Sequence, residues 1–332
     1  VPVSSTKGAT GHTLGAAGAV EAAFAVFAIE RRGSPASLGA DPVDPAVDLD
    51  LATTRVRCAA ARCSATPSAS AAATRRAPGG AVTTPAQVAG FALWTPRHAT
   101  WGALRDDVAS PAALRPACAG VPPSLLRGAS AVTCAALDAL RQAAAAGGAD
   151  LREAATVFGS TLGEIQTAVA LSAMIRREGV PSPLRFKNSV HNAAAGLASI
   201  AHGHTGFSTS LSAGGDLLGC CLAEALGWLD ERGGDVLVVL AEEEIPAPLP
   251  GYGRYPALAV ALHLRAGEGP VTLRDLALDP SAPDAESVPG YEGCPAASAI
   301  PLLRAIDARR AGTLGLSVGP APRWRVRLAV SP

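Results

Sequence analysis

Apolar and polar positions recur with two different periods along most of this chain, and together the periods predict a succession of helices and strands. Helical spacing marks Ser130–Ala146, Glu164–Arg177, a stretch beginning near Val190, Leu217–Leu229 and Ser298–Arg310. Short β-rich runs mark strands near Ala154–Gly159, Phe207–Leu211, Val236–Leu240, Ala257–Leu264, Val271–Leu276 and Trp324–Val330. Ser182-Pro183 reads as a turn between two of the helices. Alternation of this kind predicts a layered α/β architecture. Upstream, a short strand and a Gly-rich loop lead into a helix at Ala16–Ile29. It is apolar nearly all round, ends at Arg31, Arg32 and Gly33, and is therefore expected to be buried on every side. Between these regions, about Pro35–Gly80, periodicity disappears into an Ala/Ser/Thr/Arg/Pro tract whose plainest reading is a disordered linker.

Composition narrows the function classes. With 28 Lys+Arg against 28 Asp+Glu the formal net charge is zero, which gives nucleic acid or an anionic membrane no electrostatic hold. Hydrophobic residues make up 48% of the 332, enough for at least one sizeable core. The longest apolar stretches, such as Ala16–Ala28 with Glu21 inside it, fall short of the roughly 20 residues of a membrane span. Seven cysteines, an odd number without regular Cys/His spacing, predict neither a disulfide framework nor a metal site, and they suit a reducing cytoplasm. Lysine occurs only at Lys7 and Lys187, with arginine supplying the remaining basic charge, which is the signature of GC-rich codons. The single methionine is Met174 and the chain opens Val-Pro-Val, so a fragment or partial reading frame is expected.

The densest chemistry lies at Ser4-Ser5-Thr6-Lys7-Gly8-Ala9-Thr10-Gly11-His12-Thr13-Leu14-Gly15-Ala16-Ala17-Gly18-Ala19-Val20-Glu21. A Gly-rich loop before a helix can cradle phosphate, but here Lys7 precedes the glycines and the nucleotide-loop order is missing. A capped helix with an incidental histidine is the other local reading. As a whole the string resembles the C-terminal half of β-ketoacyl synthases, the condensing enzymes of fatty acid and polyketide synthesis. The resemblance implies catalytic roles for two residues. Lys7 would be the structural and electrostatic lysine, and His12 would stabilise the enolate and thioester oxyanion during decarboxylative condensation. That family places a second histidine and a nucleophilic cysteine upstream of this motif, so residues 1–57 correspond to a ketosynthase tail.

The family also expects an Asn-Ser-Phe-Gly-Phe-Gly-Gly-x-Asn loop where Ser64–Thr74 stands as Ser-Ala-Thr-Pro-Ser-Ala-Ser-Ala-Ala-Ala-Thr. Back-translated with ordinary codons and regrouped by one base, that run yields much of the missing loop. The expectation is a single-base shift before about Cys63 that carries translation from one gene's end into its neighbour. Residues 58–81 would then be a frameshifted linker, and an Ala/Ser linker whose codons regroup by coincidence is the alternative.

Residues 82–332 resemble the N-terminal-type domain of the same thiolase-like superfamily. They are most similar to the short β-ketoacyl synthase-like proteins encoded beside aryl-polyene ketosynthases and likened to chain-length factors. The resemblance rests on Phe158-Gly159-Ser160-Thr161-Leu162-Gly163-Glu164, on Ser182-Pro183-Leu184-Arg185-Phe186-Lys187-Asn188-Ser189-Val190-His191-Asn192-Ala193-Ala194-Ala195-Gly196, and on Ser210-Leu211-Ser212-Ala213-Gly214-Gly215-Asp216. An active condensing enzyme carries its cysteine at a tight strand-to-helix elbow, where the helix N-terminus stabilises the thiolate. Counting back from Glu224-Ala225 places that nucleophile position at Gly215, which has no side chain. Cys220 and Cys221 lie inside the following helix about 100° apart and read as small apolar residues. Cys118, Cys134 and Cys294 have no neighbouring motif.

His191, Asn188, Ser212 and Asp216 are the candidates for a tunnel or subunit interface, with a capped helix start as the plain reading of His191. His202 and His204 read as loop histidines, and Glu242–Glu244 as solvated charge. The resemblance implies no cofactor and no metal. It also implies a heterodimer with a full-length ketosynthase, through which acyl carrier protein is reached. Two functions follow: a non-catalytic chain-length-factor-type partner, or an active 3-oxoacyl-[acyl-carrier-protein] synthase.

Overall fold

The structure is a computed structural model that describes residues 3–11, 17–43, 45, 50–57, 82, 84–110, 116, 118–247, 249, 253–319 and 323–331. The chain divides into two units, Val1–Ala73 and Thr74–Pro332. His12 and residues 58–81 lie outside the described residues.

In the first unit, a helical turn α1 (Lys7–Thr10) precedes helix α2 (Ala17–Glu30) and a two-residue antiparallel pair, β1 (Gly33–Ser34) with β2 (Val56–Arg57). The segment around Val3 bridges to Leu51 in parallel, and Ser37 ties down both flanks: its N–H donates to Ala52 O at 2.7 Å and its Oγ accepts from Ser5 N at 2.9 Å. The apolar surface of α2 is not buried on every side as expected, because Val26 and Phe27 are exposed while Ala28 is buried.

The second unit is built on an eight-stranded mixed sheet. Its strands are β3 (Ala86–Trp94), β4 (Ala155–Gly159), β5 (Ser208–Leu211), β6 (Asp235–Glu242), β7 (Leu258–Ala266), β8 (Val271–Leu278), β9 (Gly312–Gly315) and β10 (Trp324–Val330). Their spatial order is β5-β4-β6-β7-β3-β8-β10-β9, with β5, β4 and β6 parallel and every other pairing antiparallel. The helices are α3 (Trp101–Arg105), α4 (Ala131–Gly147), α5 (Ile165–Glu178), α6 (Pro183–Lys187), α7 (Ala193–His202), α8 (Leu217–Arg232) and α9 (Ala299–Asp307). The Ser182-Pro183 turn opens α6, where the Ser182 hydroxyl caps the Arg185 N–H.

Side-chain alternation along the central strands sorts the core into two layers. Val236, Val238 and Leu240 of β6 face the layer of α8 and α9, whereas Leu237, Val239 and Ala241 face α4 and α7. Helix α8 buries Leu218, Cys221, Leu222, Ala225 and Leu229, a continuous stripe at three- and four-residue spacing. Helix α4 begins at Ser130, whose Oγ accepts from Thr133 N at 3.0 Å, and ends at Gly148 in the left-handed conformation. Its alanines allow the helix axis to come close to the sheet.

Gly90, at the β3 bulge, marks one close point of that approach. A Cβ there would lie 2.6 Å from Ala143 O and 2.7 Å from Gly147 N. Gly90→Ala is therefore expected to cost about 2 kcal/mol in chemical denaturation. Gly227, in the interior of α8 with open space around its Cα, is expected to respond in the opposite sense, with Gly227→Ala gaining roughly 0.7 kcal/mol. Equal effects at the two positions would contradict the packing described for α4.

Candidate functional site

The carboxyl ends of the parallel strands β5, β4 and β6 meet at one side of the sheet, and three loops leave them there. The loop after β4, Ser160–Glu164, is fixed from every neighbouring element. Ser160 N donates to Leu211 O at 3.1 Å, Ser212 Oγ donates to Thr161 O at 2.8 Å, and Thr161 N donates to Glu242 Oε1 at 2.7 Å. His191, ahead of α7, donates from Nε2 to Ser160 O at 2.7 Å, so its neutral tautomer leaves Nδ1 as the acceptor. Gly163 serves this arrangement twice: its φ is +59°, and a Cβ would sit 3.0 Å from both Cα and Cδ2 of His191. His191 and Ser212, two of the residues singled out from sequence, thus hold the same loop from opposite sides.

Three carboxylates gather behind the loop. Glu164 is buried and accepts from the hydroxyls of Ser130 at 2.7 Å, Thr133 and Thr167. Glu242 and Glu243, at the end of β6, are also buried, contrary to the reading of this triplet as solvated charge; only Glu244 is exposed. Burial raises the Glu242 carboxyl, with hydrogen bonds from Thr161 and Ser160 opposing it. Burial, reinforced by the charges of Glu164 and Glu242, pushes Glu243 up to about 7 even though it accepts from Gln166 N at 2.8 Å. No local pattern announces this cluster, because a Glu-Glu-Glu run after a strand ordinarily faces water.

Thr133, Phe158, Ser160, Glu164, His191 and Ala194 line a cavity of about 30 Å³. That volume suits a water molecule or two and is far too small for an acyl chain.

The elbow between β5 and α8 is the second feature. A 3₁₀ turn, Gly214–Asp216, joins strand to helix at the position the family resemblance implies for a nucleophile. At Gly215 an added Cβ would run into the carbonyl oxygen of Val318, and Val318 N in turn donates to Gly215 O at 2.8 Å. Asp216 is drawn to the same segment: Ser317 Oγ donates to its Oδ1 at 2.6 Å and accepts from Trp324 N at 2.8 Å. One turn further along α8, Gly219 leaves room for the Trp324 ring, which a Cβ would strike. Ser317, Val318 and Trp324 therefore cover the start of α8.

The thiols near the elbow are held protonated. Burial and then the Asp216 charge raise Cys220, against a hydrogen bond from Trp324. Cys221 is fully buried, and burial pushes its thiol far up. A Cβ at Gly159 would lie 2.6 Å from the Cys221 sulfur, so β4 packs directly onto it. Cys294, 1% exposed, is pushed up to about 12 by burial. None of these sulfurs has the electropositive, accessible surroundings of a nucleophile.

Asn188 closes α6 as its C-cap and packs against Gly128. Lys7 belongs to the first unit, where its Nζ pairs with Glu21 Oε1 at 2.6 Å. His263, unremarked in the sequence, is a core histidine of β7 whose Nε2 donates to Asp235 Oδ1 at 2.6 Å. Among the described residues no helix is long and apolar enough to cross a membrane.

An eight-stranded mixed sheet layered between helices, with a strand-to-helix elbow beside its parallel strands, defines the class: one thiolase-like α/β half. Residues 98–316 match the family described as Beta-ketoacyl synthase, N-terminal domain, and residues 1–41 match Beta-ketoacyl synthase, C-terminal domain. The chain belongs to the β-ketoacyl synthase family.

Over 45 residues it is 58% identical to the mitochondrial 3-oxoacyl-[acyl-carrier-protein] synthase of Arabidopsis thaliana, a match that covers 14% of this chain and 10% of that one. It thus spans about a tenth of the length of that curated relative. Among solved structures, a ketosynthase (ApeO) in complex with its chain length factor (ApeC) from Xenorhabdus doucetiae superposes with a TM-score of 0.54 at 20% identity, covering 73% of this chain and 98% of that one. A type II polyketide synthase acyl-carrier protein in complex with its hexaketide-bound ketosynthase (AntDE:AntF) gives a TM-score of 0.51 at 14% identity, covering 60% and 70%. Identities this low establish the shared fold.

Proposed function

We propose that this chain is a cytoplasmic, non-catalytic, chain-length-factor-type subunit that pairs with an active ketosynthase in fatty acid or polyketide synthesis of the aryl-polyene kind. The observation that carries this reading is the elbow. Gly215 supplies no nucleophile, the Val318 carbonyl occupies the space a side chain would need, and the half-buried Cys220 and buried Cys221 thiols are both raised. A condensing reaction begins with thiolate attack on an acyl thioester, and among the described residues the elbow offers no group for that step. The cavity beside His191, about 30 Å³, is too small to be an acyl-binding site of its own. Acyl carrier protein would be reached through the partner. Lys7 and His12, by their resemblance, would be the remnant of a condensing site in the first unit.

The surface supports a partner. Ile175, Val180, Leu184, Phe186, Val190 and Ile200 are all exposed and fall within one short stretch of chain, α5 to α7. Strand β5, against which α7 packs, forms one edge of the sheet. Exposed apolar side chains on helices beside an edge strand are candidates to be covered by a partner.

Co-expression with a full-length ketosynthase of this type is expected to yield a heterodimer by size-exclusion chromatography. The double substitution Phe186→Glu, Ile200→Glu is expected to weaken that association at least about 100-fold, roughly 3 kcal/mol for two anchors of this size, while the melting temperature is unchanged. Retained association in the double variant would remove this surface from the proposal. A stoichiometric adduct at Cys220 or Cys221 with an acyl-thioester analogue would favour the enzymatic reading.

A further inference from the structure

We propose that Cys118 and Cys134 form a reversible thiol–disulfide pair that staples the chain before α4 onto that helix. Both are free thiols, one buried and one half-buried, and they are 16 residues apart. The Cys118 sulfur donates to the Cys134 carbonyl oxygen at 3.3 Å, which brings it against Cys134, and the neighbouring Cys134 thiol raises that of Cys118. Cys118 opens a tight turn closed by Val121 N donating to its carbonyl at 3.1 Å, so its position is set by the backbone. Cys134 lies in the first turn of α4, whose neighbours Ser130 and Thr133 hold Glu164. The pair therefore sits where a covalent link would fix the entry to the helix that supports the His191 cavity. Cys220 and Cys221, adjacent on one helix, point about 100° apart and lack this juxtaposition.

The chemistry balances with a small-molecule disulfide as oxidant. Cys134, the more exposed sulfur, attacks it as the thiolate and forms a mixed disulfide, releasing one thiol. Cys118 then attacks the Cys134 sulfur, the Cys118–Cys134 bond forms, and the second thiol leaves. The external disulfide has accepted two electrons, and the two protein protons end on the released thiols. The Cys134 contact, and then burial, raise the Cys118 thiol, so it acts as the resolving sulfur and not the first to react.

The full-length chain is incubated with oxidised glutathione, quenched in acid, alkylated and digested. The expected result is a linked pair of peptides carrying Cys118 and Cys134, about 2 Da lighter than the sum of the reduced peptides. The melting temperature should rise by roughly 6 °C and return with dithiothreitol, as closure of a loop this short predicts. Cys118→Ala is expected to leave a glutathione adduct on Cys134 that does not resolve. A stable adduct at Cys134 in the unsubstituted chain with Cys118 still alkylatable overturns the proposal, as does a chain in which both thiols stay unmodified at equilibrium. This outcome is independent of whether a ketosynthase binds.

Discussion

Gly215→Cys will lower stability by about 3 kcal/mol and will not turn this chain into a condensing enzyme. The new Cβ meets the Val318 carbonyl oxygen, which is backbone and cannot rotate aside. Relief requires Ser317 and Val318 to lift, which sacrifices the Val318-to-Gly215 hydrogen bond and pulls Ser317 from Asp216. Urea denaturation measures the loss, and labelling with an acyl-thioester analogue measures any acylation. Gly214→Ala is the internal control. Gly214 has φ +50° but open space around it, so only the backbone preference is lost, about 1 kcal/mol. A well-folded Gly215→Cys protein that takes up one equivalent of acyl group would overturn both the sealing of the elbow and the non-catalytic assignment.

Glu243→Gln should stabilise the protein at pH 8 by on the order of 3 kcal/mol and change little at pH 4. The folded-state carboxyl is raised from its ordinary 4.5 to about 7, chiefly by burial. Between those two values the folded chain keeps a proton that the unfolded chain has released, so stability falls as pH rises through the window. Below about 4.5 both states are protonated and the penalty is absent; above about 7 both are ionised and it is fully present. Glutamine carries no charge at either pH, and its carbonyl oxygen can still accept from Gln166 N. Chemical denaturation at pH 4 and pH 8 checks the sign. An equal effect at both would mean that Glu243 is ionised without cost where it lies.

Much of the fold was legible because its signals are local. The α4 and α8 helices follow from apolar spacing, their ends from Ser130 and the glycines that follow them, and β4 to β8 from short apolar runs with turns between. Strand β3, absent from the expected elements, reads weakly because Gly90 interrupts it, and that same glycine is what admits α4. Strand β9 spans only four residues and takes its identity from pairing with β10.

At the site the division is sharper. His191 and Ser212 stood out by type and position, and both prove to hold the loop after β4. Glu242 and Glu243 did not, since hydrogen bonds to residues 81 and 77 positions earlier are what keep them inside.

What the residues alone established is the order of helices and strands and the family motifs. These depend on neighbours within a few positions, whose spacing is printed along the chain. Only the tertiary structure decided that the elbow is closed by a segment about a hundred residues downstream, with Ser317 and Asp216 separated by 101 positions. It likewise decided which carboxylates lose their water. Desolvation and close backbone approach arise from atoms that folding alone brings together, so no local period encodes them.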